Sequence, residues 1–144
     1  MSNNIRGIVE DRVSAYLSAN ITGVTIHKGI TDEDRVVPII ICHASDSNKP
    51  SAFGAGNLGN YRVTLKVYIY SSADDDTLET HRTRVTNVLA LLAQGDGLKN
   101  YWGAEVTYGK LYSLWIESDS EGMSQRRYGN AITFTLNCCM PTQS

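Results

Sequence analysis

The stretch Asn60-Tyr61-Arg62-Val63-Thr64-Leu65-Lys66-Val67-Tyr68-Ile69-Tyr70 decides the fold. Tyr61, Val63, Leu65, Val67 and Ile69 alternate with Arg62, Thr64, Lys66, Tyr68 and Tyr70. Successive side chains of a strand point to opposite faces, so this pattern sets an aliphatic row against a core and a polar, aromatic row on the other side. A second alternating run lies at about 127–139, with Ile132, Phe134, Leu136 and Cys138 against Thr133, Thr135, Asn137 and Cys139. Two such runs predict a largely antiparallel sheet with one covered face.

Working outward, residues 4–19 read as a helix, because Ile5, Ile8, Val9, Val13, Tyr16 and Leu17 recur at three- and four-residue spacing. Asn3 or Asn4 can cap its start, and Asn20 with Gly23 ends it. Val24–Lys28 and Val36–His43 read as strands, with Pro38 near a strand start or on an edge because it has no amide to donate. Residues 44–59, rich in Ser, Asn, Gly and Ala, read as a long loop of the kind that carries function. After the central strand, Asp74, Asp75 and Asp76 stand at the positive end of a helix over about 75–94. That helix carries Leu78, Val85, Val88, Leu89 and Leu92 on one side and closes at Gly95 and Gly97. Ala104–Tyr108 and Leu111–Glu117 read as strands, and 118–127 as a long hairpin loop. The expected architecture is a single α+β domain over residues 1–144. It has a mostly antiparallel sheet of about five strands, with two amphipathic helices packed on one face.

The bulk numbers agree with one folded domain. A chain of 144 residues, 42% hydrophobic and 19% charged, is large enough to bury a core without a disulfide or metal staple. Net charge is −2 with Lys and Arg dispersed, which disfavours a nucleic-acid grip built on a basic stripe. Three cysteines with no CxxC, and an N-terminus without the apolar core of a signal peptide, fit a reducing cytosol. No run approaches the roughly 18 apolar residues that span a bilayer. Asn20-Ile21-Thr22 spells a glycosylation sequon that matters only in a secreted chain.

Features that resemble catalytic or ligand sites fail on context. Gly54-Ala55-Gly56-Asn57-Leu58-Gly59 spells GxGxxG. A dinucleotide site needs a strand directly before the motif and a helix directly after it, and here a strand follows. Asp74–Asp76 lack calcium-loop spacing. His27, His43 and His81 fall in separate elements without a ligand pair, and read as ordinary strand or helix-surface histidines. Cys138 and Cys139 point to opposite faces of one strand and cannot chelate together. No catalytic residue, cofactor or metal is expected.

A partner surface is expected instead. Two helices cover one face of a five-stranded sheet. The other carries Tyr68, Tyr70, Thr133, Thr135 and Asn137, with Ile40 and Trp115 or Leu114 as neighbours. Aromatic and uncharged polar residues of this kind suit a protein interface. The acidic arm Glu117-Ser118-Asp119-Ser120-Glu121 and the basic return Arg126-Arg127 suit ion pairing between subunits. The candidate contact residues are Phe53, Leu58, Tyr68, Tyr70, Trp115, Asp119, Glu121, Arg126 and Arg127.

The order of elements resembles the tail terminator and tail-completion proteins of long-tailed bacteriophages. An initial helix and two early strands precede Asn60–Tyr70, a carboxylate-rich turn, the helix Leu78–Leu92 and the closing strand Arg126–Leu136. The resemblance implies a virion protein, assembled in the host cytoplasm, that forms a ring, commonly a hexamer. Such a ring caps the tail tube, ends its growth and joins it to a head-side connector or stopper protein. DNA would pass through its pore, and no membrane is involved. The neighbouring alternatives are a head-completion or other neck protein, and an unrelated module that holds a small ligand in the 44–59 loop.

Overall fold

The computed structural model describes residues 5–29, 37–48, 60–93 and 96–139. Asn3, Asn4, Gly95 and the 49–59 segment, with Phe53, Leu58 and the GxGxxG motif, lie outside the described residues. The elements run α1 (Ile5–Asn20), β1 (Thr25–Lys28), β2 (Ile39–Asn48), β3 (Asn60–Ser72), α2 (Leu78–Ala93), α3 (Gly97–Tyr101), α4 (Glu105–Tyr108), β4 (Lys110–Ser124) and β5 (Arg127–Cys139). The sheet order is β1-β2-β3-β5-β4, antiparallel throughout except for the β1–β2 pair. The α+β arrangement is as expected, with α1 and α2 on the aliphatic face.

Alternation builds the core. Val63, Leu65 and Val67 pair across the ladder with Leu136, Phe134 and Ile132, and all six are fully buried. Ile5, Ile8, Val9, Val13 and Leu17 of α1 and Val85, Val88 and Leu92 of α2 close over them. Each such aliphatic or aromatic side chain removed from water contributes about 1.5–3 kcal/mol.

Several expectations need correction. Residues 44–48 continue β2, and α1 helps hold the strand there: the Glu10 carboxylate accepts the Ala44 N–H at 2.8 Å. Ile40 belongs to the core side, pairing with Ile69, while Ile39 shares the face of Tyr70; a one-residue slip in register inverts every side chain. Pro38 does stand just before β2.

The three aspartates precede α2 without capping it. Thr77 Oγ accepts the Thr80 N–H at 3.1 Å, as an N-cap does, while Asp76 turns to Arg84 at 2.9 Å. Gly97 opens α3 and does not close α2. Tyr16 approaches Gly97 so closely that a Cβ there would meet its hydroxyl.

The expected strand Ala104–Tyr108 is instead a helical turn, Glu105–Tyr108, with Ala104 extended just before it. Gly109, at φ 72°, ends this turn, and the Arg12 guanidinium sits 3.8 Å from the centroid of the Tyr108 ring. Trp102 is buried beside it and donates its indole N–H to the Tyr108 carbonyl at 3.0 Å. Packing around these rings outweighs a five-residue alternation.

The largest correction concerns 118–127. Fifteen residues from Lys110 to Ser124 form one strand, and only Gln125 and Arg126 make the turn. Both have positive φ, 49° and 61°, as a two-residue type I′ hairpin requires.

Candidate subunit and partner interface

Tyr68 and Tyr70, at i and i+2 on β3, project to the face away from the helices, their rings parallel within 4° and 6.3 Å apart. Opposite Tyr70 lies Gly129 and opposite Tyr68 lies Ala131; beyond them on β4 stand Gly122 and Ser120. Small residues in two adjacent strands leave a concavity of about 610 Å³ on this face, bounded by Tyr68, Tyr70, Met123 and Arg127. Gly129 is needed for its shape, since a Cβ there would stand 3.1 Å from the Tyr70 ring. Burial, helped by neighbouring Tyr68, raises the Tyr70 phenol above its ordinary value.

The concavity opens toward the edge of the sheet, and β4 is that edge. Tyr112, Trp115, Ile116 and Met123, four of the five exposed large hydrophobics among the described residues, lie on this one strand, so the exposure is local to it. Trp115 is 38% exposed yet held in place: its indole N–H donates to Glu117 Oε2 at 2.7 Å, and the Thr135 hydroxyl donates to the same oxygen at 2.7 Å. These bonds, that from Thr135 first, hold the Glu117 carboxyl below its ordinary range. A fixed, half-exposed Trp loses little freedom on contact, which favours it as an anchor. Register shifts at Leu111/Ser113 and Ile116/Ser118 mark bulges along the strand.

The charged residues of the hairpin are engaged within the chain. Glu121 takes both nitrogens of the Arg82 fork, at 3.0 and 2.8 Å, and Arg82 holds its carboxyl below the usual range. Arg126 lies 3.6 Å from Asp74. Asp119 accepts from Asn130 Nδ2 at 2.9 Å. Of the candidate residues, Tyr68, Tyr70, Glu121 and Arg127 border one concavity. Trp115 stands further along the same face, Asp119 and Glu121 point to the helix side, and Arg126 sits at the hairpin tip. Tyr112, Ile116 and Met123 were not singled out from the sequence, although an apolar side chain on each side of Trp115 was a usable signal.

Beneath the hairpin runs a chain of buried polar groups. His81, expected on a helix surface, is fully buried, as is Ser71. Its position on α2 lies one turn before Val85, on the face that packs down on the sheet. Its Nδ1 lies 2.8 Å from Ser71 Oγ and its Nε2 lies 2.7 Å from Asn130 Oδ1. Asp119 can only accept, so the Asn130 amide nitrogen faces it and the amide oxygen faces His81, which must therefore carry its proton on Nε2. In the neutral ring Nδ1 then accepts the Ser71 hydroxyl proton, and Ser71 Oγ in turn accepts from Arg84 at 2.8 Å. Every donor finds an acceptor along this path, which pins α2 to the ends of β3, β5 and β4. Among the described residues, no group of three or more His, Cys, Asp and Glu side chains assembles a metal site, and no helix is long and apolar enough to cross a membrane.

No protein-family model matches this chain, and no curated protein does. Solved structures do share its fold. A chain in the virion of a native gene transfer agent (GTA) particle is 12% identical and superposes with a TM-score of 0.65, over 92% of this chain and 96% of that one. A second solved chain, 13% identical, superposes with a TM-score of 0.60 over 99% of both. At such identity the likeness establishes a common fold, spanning nearly the whole of each chain.

Proposed function

We propose that this chain is a structural component of a phage-like virion, without catalytic activity. In the sharper form of the proposal it is a tail terminator: a ring, hexameric in this reading, that caps the tail tube, stops its growth and joins it to a head-side connector or stopper. The observation that carries the reading is the fold shared, over 92% of this chain, with a chain of a gene transfer agent virion. The open apolar edge at β4 supports it, because a protein that works by assembly needs surface of this kind. A net charge of −2 is compatible with a pore through which DNA passes without adhering.

The test is electron microscopy of particles made when the reading frame carries an early stop codon. The proposal expects unjoined heads beside tails of uncontrolled length. Normal particles with attached tails of uniform length would refute the virion role. Defective heads with normal tails would retain a virion role but reject the terminator assignment.

A further inference from the structure

β4 is one strand made of two unlike halves. In the first, Leu111 is buried and Leu114 packs half-buried against the core, beside Leu92 of α2 and Leu98 of α3. In the second, Ser118–Ser124, every residue is exposed, and Met123 is the one large apolar side chain among them. Burial therefore holds the first half and contributes little to the second. Ordering the second half is opposed by backbone entropy. Among the described residues, the ladder to β5 and a few polar links offset it. Asn130 Nδ2 donates to Asp119 at 2.9 Å, the Arg82 fork donates to Glu121, and Arg126 at the turn lies 3.6 Å from Asp74. The two ion pairs are exposed, so their contribution is small and screened by salt.

The halves meet at a bulge. The register shifts between Ile116 and Ser118, with Glu117 as the extra residue. Trp115 and Thr135 both donate to its carboxylate, so Glu117 stays with the first half. β5 does not depend on the second half for its own place. Its residues Arg127–Thr133 pair with Ser72–Lys66 of β3, and Ile132 and Phe134 are fully buried.

We propose that Ser118–Ser124 is a strap that detaches from β5 as one unit, bounded by the bulge at Glu117, while the rest of the sheet stays folded. The chain is long enough for this. Ser118–Arg126 extended reach about 30 Å, whereas β5 from Arg127 to Thr133 spans about 20 Å. Detachment also frees Gln125 and Arg126 from a left-handed backbone, φ 49° and 61°. Gly122 favours it too. Its φ is not positive and an added Cβ would meet nothing within 4 Å, so the closed strand gains nothing from a glycine there. Release uncovers the β5 ladder from Arg127 to Thr133 and takes Ser120 and Gly122 out of the concavity beside Tyr70. That concavity exists only while the strap is down.

The inference is separate from the virion reading, because it is decided on the isolated full chain. The experiment is residue-resolved amide hydrogen exchange at urea concentrations below the unfolding transition. Amides of Ser118–Ser124 bonded to β5 should exchange through one shared opening. That opening should be at least about tenfold more populated than the opening of Leu111–Ile116, with a step at Glu117 and little dependence on urea. Glu121→Gln should populate it further. Gly122→Ala should depopulate it about two- to fivefold. Neither variant should alter exchange in α1. Protection that declines smoothly from Glu117 to the turn would mean simple fraying and would overturn the proposal. Exchange of both halves of β4 through the same opening would overturn it as well.

Discussion

The two edges of the sheet are finished in opposite ways. At one, β1 has four residues, and Lys28 at its end is tied to Asp11 at 3.0 Å. Burial alone would raise the Asp11 carboxyl, but Lys28 and Arg12 overcome it and hold the group below its ordinary range. Past β1, the Gly29 N–H bonds the Cys42 carbonyl and the Glu10 carboxylate takes the Ala44 N–H, so α1 seals what the short strand leaves open. At the other edge, β4 has fifteen residues and displays Tyr112, Trp115, Ile116 and Met123. An unprotected strand edge is a template for pairing, and most proteins suppress it with short strands, charges or covering elements. This chain gives β1 a short strand and a covering helix; β4 has neither among the described residues, and carries three carboxylates and two bulges instead. Such an asymmetry is understandable if the protein has a partner on one side only.

The comparison would break most severely if the core failed to separate from the edge. Phe134→Ala, beneath both helices, should lower stability by about 3–5 kcal/mol in a denaturant titration. Next comes the buried path that supports the hairpin. Asn130→Ala leaves the His81 Nε2–H without its acceptor and should cost about 1–3 kcal/mol, with faster amide exchange in β4. At the hairpin tip, Arg126→Gly relieves a left-handed φ of 61° and should stabilise the chain by about 1 kcal/mol. The exposed 3.6 Å pair with Asp74 is worth too little to reverse that sign.

Trp115→Ser on the open edge should change thermal stability of the isolated chain by less than about 0.5 kcal/mol while reducing incorporation into particles. A large loss of stability would instead make Trp115 a core residue. The smallest effect is a titration. The Glu121 carboxyl is depressed by Arg82, so its contribution is complete above the unfolded value and lost as pH falls through the folded one. Arg82→Ala should return its NMR midpoint toward 4.5.

Much of this was legible in the sequence where the period was long. The alternation of Asn60–Tyr70 and Ile132–Leu136 placed both central strands and their covered face. The spacing of Ile5 to Leu17 placed α1. The hairpin was misread because Ser118, Ser120, Gly122 and Ser124 have little preference for strand in isolation; β5 and the two-residue turn hold them there. His81 carried no signal of burial, because its partners Ser71 and Asn130 are 10 and 49 residues away. Tyr68, Tyr70 and Trp115 could be assigned to the uncovered face from parity alone. That Gly129 and Gly122 lie beside Tyr70 depends on register, which no single strand contains.

The most direct test of a protein that meets its partners along β4 is oxidative footprinting of the isolated chain against the chain in purified particles. Met123, 62% exposed, and Trp115, 38% exposed, report on the strand. The account predicts that both oxidise readily in the isolated chain and are protected in the particle, while peptides from β1 change little. Equal oxidation of Met123 and Trp115 in both states, or protection confined to β1, would contradict it.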